Sequence, residues 1–167
     1  MQNKAWVIGT SELRKNSIVV QFTKAEEYGL LGVLYLAETD RSRVVPLSEI
    51  SHSQGIPEKF LAKIFQSLSR NGVVRSHRGV RGGFTLAKSP DDSTLREVLE
   101  AIQGACHLMK CTEERAACDR DPSGFCSLRE VLILAENKLV SVFDKFTLTD
   151  LITWQKTETA PQKATSD

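Results

Sequence analysis

From Tyr28 to Ala37 the chain carries only apolar, aromatic and glycine residues, and shortly before this run Thr23 stands three residues ahead of Glu26. That pair is a capping box, so a helix is expected to begin at Thr23; one that is apolar on nearly every side belongs in a core or an interface. A second, shorter helix is expected over about 47–52 (LSEISH), followed by a tight break at Gln54-Gly55-Ile56. Pro57 suits the first position of a third helix, where its missing N–H costs little, and Asn71-Gly72 closes that helix after Arg70. Helix, short glycine-containing turn and helix make a helix-turn-helix. At about 100° per residue, Leu61, Ile64, Phe65 and Leu68 share one face of the third helix, while Lys59, Lys63, Gln66 and Arg70 fall within roughly 60° of one another on the opposite face. No acid lies among those four. Such a face suits a phosphate backbone and base edges in a major groove.

The next stretch, VVRSHRGVRGGFTLA (73–87), reads as two short strands, Val73-Val74 and Phe84-Thr85-Leu86, joined through Gly79 and Gly82-Gly83. A hairpin directly after a helix-turn-helix is a wing, here with Arg75, His77, Arg78 and Arg81 on or near its tip. Arginines so placed can grip phosphates or enter a narrow minor groove. Thr94 and Glu97 form another capping box, opening a helix that LREVLEAI carries to about Ile102. After a cysteine-bearing segment (103–126), a long helix is expected from Ser127, capped by Glu130, to about Phe146. Its Leu128, Leu132, Ala135, Leu139, Val142 and Phe146 alternate four- and three-residue spacing, a coiled-coil seam expected to pair with a second copy of the chain. The fold class is therefore mainly α with a small β-hairpin: a winged helix-turn-helix plus a long dimerisation helix. Residues 1–17 are expected to be a flexible extension, 18–90 the winged DNA-binding domain, 91–153 the cysteine loop and dimerisation helix, and 154–167 a disordered tail.

With 167 residues, 41% hydrophobic and 26% charged, the chain can bury a sizeable core and does not have the composition of a disordered one. No apolar run reaches the roughly 18 residues a membrane span needs. The start, MQNKAWVIGTSELRKNS, lacks the apolar stretch and cleavage site of an export signal, so a reducing, cytoplasmic setting and no membrane partner are expected. Charge sharpens the reading of the wing. The net charge of +1 conceals a segment, 55–90, with seven basic side chains and one acidic, between a balanced stretch and one with nine basic and fourteen acidic. A basic segment inside a neutral chain is a candidate polyanion site.

In a reducing setting cysteines read as metal ligands or redox groups before they read as disulfides. The segment ACHLMKCTEERAACDRDPSGFCSLRE has a C-x4-C-x6-C-x7-C arrangement: Cys106, Cys111, Cys118 and Cys126. Thiolates favour zinc or iron–sulfur clusters. Structural zinc sites use closely paired cysteines, which only Cys106/Cys111 approaches, and long uneven spacings suit a cluster. Spacing leaves both open.

Taken together, these stretches resemble the Rrf2 family of winged-helix regulators over roughly 20–153. The matching residues are FTKAEEYGLLGVLYLA (22–37), PLSEISHSQGIPEKFLAKIFQSLSRNGVVRSHRGVRGGFTLAKSP (46–90), LREVLEAI (95–102), C-x6-C-x7-C-SLR (111–129) and FTLTDLI (146–152). The resemblance implies a homodimeric DNA-binding regulator. In the cysteine-bearing branches it also implies sensing of redox, nitric oxide or iron status through a cluster held by three cysteines of each subunit. On that resemblance Cys111, Cys118 and Cys126 are the ligands of a 2Fe-2S or 4Fe-4S cluster, although the x6 and x7 spacings are a little longer than those common in the best-known members. The fourth ligand stays open. Where the IscR-like branch has a histidine, three residues after the last cysteine, this chain has Arg129, and a guanidinium offers no lone pair. In the NsrR-like branch an acidic residue of the first helix reaches over from the partner subunit, and Glu27 matches it. Cys106, His107 or an exogenous ligand are the alternatives.

The expected function is transcription regulation: a homodimer with a cluster in each half, bound to a palindromic operator in double-stranded DNA through Lys59, Lys63, Gln66, Arg70, Arg75, His77, Arg78 and Arg81. The alternative is a cluster-free winged-helix repressor controlled by a protein partner or a small effector. An enzyme using a reactive cysteine is not expected. His107 is the only histidine near the loop, and the basic wing would go unexplained.

Overall fold

The structure, a computed structural model, describes residues 22–113 and 125–157 and builds them from seven α-helices and one two-stranded antiparallel sheet. Helix α1 spans Lys24–Glu38, and its capping box forms as the sequence predicts: the Thr23 N–H donates to Glu26 Oε2 at 2.6 Å and the Glu26 N–H to Thr23 Oγ1 at 3.3 Å. Helix α2 spans Leu47–Gln54, two residues longer than expected, and stops where Gly55 turns left-handed at φ 64°. Helix α3 spans Glu58–Arg70. Pro57 sits just outside it, at the N-cap rather than at the first helical position. Gly72, at φ 73°, turns the chain away after the Asn71 cap.

The apolar face of α3 becomes the centre of the core. Leu61, Ile64, Phe65 and Leu68 are buried there with Val33, Ile50, Val74 and Leu148. Helix α1 comes close because it carries no side chain where α3 presses on it: a Cβ at Gly32 would lie 2.7 Å from a ring carbon of Phe65.

Strands β1 (Val74–His77) and β2 (Gly83–Leu86) pair in the register Val74↔Leu86, Arg75↔Thr85, Ser76↔Phe84 and His77↔Gly83. The first strand runs three residues further towards the tip than its sequence suggests, because His77 still finds a partner in Gly83. Two attachments fix this hairpin to the helices. Val45 bridges to Phe84 through backbone hydrogen bonds of 3.0 and 2.8 Å, and the Phe84 ring meets Phe65 edge-on with centroids 4.9 Å apart. The first attachment depends on Gly83, where a Cβ would collide with the Val45 carbonyl and the Pro46 nitrogen. Both obstacles are backbone and cannot rotate aside. Gly83→Ala is therefore expected to destabilise the protein by about 1–3 kcal/mol, the range for forced overpacking. A thermal melt followed by circular dichroism checks this; an unchanged midpoint contradicts the packing described here.

After a 3-10 turn at Pro90–Asp92, helix α4 spans Leu95–Gln103 behind the expected Thr94/Glu97 capping box. Helix α5 (Lys110–Glu113), then α6 (Ser127–Lys145) and α7 (Leu148–Thr157) follow among the described residues. Three features differ from expectation. Helix α5 was not foreseen. Ser127 is already helical and Cys126 holds the cap position without a side-chain capping bond, so Ser127 stands one place too late to cap with Glu130. Helix α7 continues to Thr157, past the boundary expected at 154, with Leu148 and Ile152 buried. The junction of α6 and α7 is tied to the start of α4 by Leu95 N–H to Phe146 O at 2.8 Å and Leu148 N–H to Ser93 O at 2.9 Å. The expected extension 1–17 and the residues 158–167 lie outside the described residues. No described helix is long and apolar enough to cross a membrane.

Candidate functional site

The polar face of α3 emerges as predicted. Lys59, Lys63, Gln66 and Arg70 are all exposed, opposite the buried Leu61, Ile64, Phe65 and Leu68. Arg75 and His77 are exposed on β1, with His77 Nε2 3.0 Å from Thr85 Oγ1, and Arg78 and Arg81 are exposed in the turn beyond it. Two of the four wing residues thus lie along the strand and two at the tip. Several cations elsewhere are held by acids, Lys24 by Glu27, Arg43 by Glu49, Lys88 by Glu97, Arg96 by Glu100 and Asp144, and Lys156 by Glu38, while Arg41, Lys110 and Lys138 stand apart from one another without one among the described residues. Among the described residues, none of Lys59, Lys63, Arg70, Arg75, Arg78 and Arg81 has such an acid. Six unneutralised cations on one helix-and-hairpin unit repel one another, a cost relieved when a polyanion binds.

The far end of α3 is fastened to α4. Ser67 Oγ and Asn71 Nδ2 both donate to the Ala101 carbonyl, at 2.8 and 3.0 Å. Three residues on, Gly104 turns the chain at φ 91° into the cysteine segment. Cys106 and His107 line a cavity of about 370 Å³ with Phe22, Glu26, Leu99 and Phe143. Burial pushes the Cys106 thiol up from its ordinary pKa, and the Glu136, Glu26 and Glu100 carboxylates add to the shift. Glu27 points to solvent instead, paired with Lys24 Nζ at 2.7 Å; it is its neighbour Glu26 that is buried and lines the cavity.

Cys111 and Cys126 are both half-buried. They meet the same end of α6, since Cys126 caps that helix and Arg129, three residues on, donates from Nε to the Cys111 carbonyl at 2.7 Å. Cys118 lies outside the described residues. Among the described residues no three His, Cys, Asp or Glu side chains are gathered closely enough to hold a metal ion.

One residue that the sequence reading missed organises this loop. Glu136 of α6 is 7% exposed, and its Oε1 accepts from the Leu108 N–H at 2.6 Å and from Thr112 Oγ1 at 2.5 Å. His107 Nδ1 faces its other oxygen at 3.7 Å. The signal was present in the periodicity: at 100° per residue Glu136 shares an arc with Leu132, Leu139 and Phe143, an acid among inward apolar positions.

Helix α6 leaves an apolar face in water. Leu128 is 58% exposed, Val131 61%, Leu134 65% and Val142 48%, and no apolar side chain of the helix is fully buried. The expected seam contained Leu132 and Leu139, which are half-buried, with Leu139 lining the cavity beside α4. The free stripe is therefore rotated by about 60° from the predicted one. Packing on α4 has claimed one edge of a seam that the spacing alone could not assign.

Comparison with known proteins gives consistent findings. Residues 22–153 match the family model Rrf2, iron-dependent transcriptional regulator. A protein of Aquifex aeolicus (strain VF5) described as an HTH-type transcriptional regulator is 34% identical over 131 residues, 78% of this chain and 90% of its own. Among solved structures, IscR of T. potens superposes with a TM-score of 0.68 at 22% identity, over 88% of this chain and 96% of its own. CymR, the global cysteine regulator of B. subtilis, superposes with a TM-score of 0.63 at 23% identity, over 81% and 98%. These two likenesses establish the winged-helix fold.

Proposed function

The chain belongs to the Rrf2 family of transcriptional regulators, and from that premise we propose that it works as a homodimer reading a two-fold-symmetric operator under the control of an iron–sulfur cluster. It is a DNA-binding regulator and not an enzyme. The observation that carries the reading of the DNA-binding face is the group of unpaired cations. Lys59, Lys63 and Arg70 with Gln66 suit a helix laid in a major groove, and Arg78 and Arg81 at the tip suit the flanking backbone or minor groove. The attachment of Phe84 to Phe65 holds helix and wing in one geometry, so both engage together. Arg78→Ala and Arg81→Ala are each expected to weaken operator binding and to lower the slope of log affinity against log salt by about 0.9 for every phosphate no longer neutralised. Fluorescence anisotropy over a salt series checks this; an unchanged slope in both variants removes the wing from the interface.

The outward stripe of α6 supports dimerisation, because a lone subunit leaves four large apolar side chains in water and a two-fold axis lets the same stripe cover itself. For the cluster, Cys111, Cys118 and Cys126 are the proposed ligands in each subunit. The fit rests on donor chemistry and on placement: soft thiols suit iron and sulfide, and two of the three are half-buried at one end of α6. Cys106 fits less well, since burial and three carboxylates favour its protonated thiol. The fourth position is assigned to the partner subunit's Glu27, which is exposed and would exchange its surface ion pair with Lys24 for the cluster. A bound cluster supplies a centre that oxidants, nitric oxide or iron loss can alter. The chain carries such a change to the DNA by a short route: the segment after Gly104 continues directly from α4, whose Ala101 carbonyl holds Ser67 of α3, the recognition helix, and its cap residue Asn71.

A further inference from the structure

We infer that Arg129 and Glu136 are positioning residues for Cys111, forming a two-point clamp on α6 that holds helix α5 against the long helix. The inference deepens the reading of Cys111 as a cluster ligand and rests on it for its purpose, though not for its geometry. Helix α5 is described over Lys110–Glu113. Its place is set from outside. Arg129 and Glu136 are seven residues apart, so they stand about 20° apart around α6 and about 10 Å apart along it, on one side of the helix. Arg129 takes the carbonyl of Cys111 itself. Glu136 takes the Thr112 hydroxyl, one residue later, and the Leu108 N–H just before the turn.

The burial of Glu136 is what gives the clamp its significance. A carboxylate removed from water is costly unless hydrogen bonds replace its hydration, and both bonds to Oε1 come from the cysteine loop. The acid therefore has its partners only while the loop is seated. Arg129 completes the arrangement from the other end, with its side chain 18% exposed and a looser contact of 3.6 Å to Glu130. This chain thus uses the position of the IscR-like branch's histidine to fasten the peptide of a thiol ligand. Any movement of Cys111 then has to pull on the helix that carries the free apolar stripe.

The test uses the protein stripped of iron and kept reduced, with iodoacetamide as the probe and mass spectrometry to follow each cysteine separately. In Arg129→Ala the alkylation rate of Cys111 is expected to rise about tenfold, the effect of losing one charge-assisted hydrogen bond of roughly 1.4 kcal/mol, and in Glu136→Ala, which loses two bonds, it should rise at least as much. Cys126, fixed at the start of α6, serves as the internal reference and should change less than twofold. Glu136→Gln retains an oxygen acceptor and should restore most of the protection. A Cys111 rate within twofold of the parent's in folded Arg129→Ala overturns the clamp, as does a parallel rise at Cys126. If Glu136→Ala does not fold, Arg129→Ala decides the matter by the same criteria. Because no cluster is needed, a chain that never binds iron still tests the clamp, and failure of the clamp leaves the parent's iron content unaffected.

Discussion

Replacing Val131 and Leu134 together by Asp is expected to give a monomer and to reduce operator affinity by more than about a hundredfold, because each recognition helix then binds its half-site without the gain in effective concentration that the second supplies. Both side chains are more than 60% exposed in the subunit, so the exchange leaves the core of the subunit untouched. In the proposed dimer each new carboxylate would face apolar surface and its twin across the two-fold axis, and an unpaired buried charge is among the most costly groups to hide. The matching exchange at Leu132 and Leu139 tests something else. Those residues are half-buried towards the body of the subunit, and acids there should lower the melting temperature first. Light scattering after size exclusion checks the result. A dimer that survives Val131→Asp/Leu134→Asp with its affinity intact places the interface on another surface.

The second large effect concerns the thiols. Cys111→Ser, Cys118→Ser and Cys126→Ser are each expected to abolish the visible absorbance and the iron content of anaerobically purified protein, since a hydroxyl is a poor substitute for a soft thiolate. Cys106→Ser should keep both. Burial of its thiol in the cavity disfavours the thiolate that a cluster requires, and the Glu136, Glu26 and Glu100 carboxylates add to this. Glu27→Ala should shift the spectrum and shorten the lifetime of the cluster without loss of fold, as the side chain is exposed and its one ion pair is with a neighbour on the same helix. Loss of the cluster in Cys106→Ser with no change in Glu27→Ala would make this a four-cysteine site.

The recognition helix was legible from sequence because its periodicity is unambiguous: apolar and cationic residues fall on opposite sides and no acid interrupts the latter. Both capping boxes and the glycine turns were legible for a similar reason, since each rests on residues at most a few positions apart. What escaped was set by distant contacts. The seam on α6 is an example: 4- and 3-residue spacing defines an apolar arc but not how much of it α4 covers, and the exposed part proved to run through Val131 and Leu134. Helix α5 is another: its described residues carry no periodic signal, and their contacts with Arg129 and Glu136 lie far along the chain. The strand ends were missed because polar residues such as Arg75 and His77 pair in a hairpin as well as apolar ones do. Arg129 was set aside because it cannot ligate, and its role in fastening a carbonyl depends on a fold that sequence spacing does not reveal.

The most direct test of a cluster-controlled DNA-binding regulator is the operator affinity of one anaerobic preparation measured twice, before and after chemical removal of its iron, at constant salt. A coupling of about 1.4 kcal/mol or more between cluster and DNA, within the usual range for linked sites, predicts dissociation constants that differ at least tenfold. Equal affinities in the two forms, or a preparation that carries no iron and sulfide to remove, would contradict it.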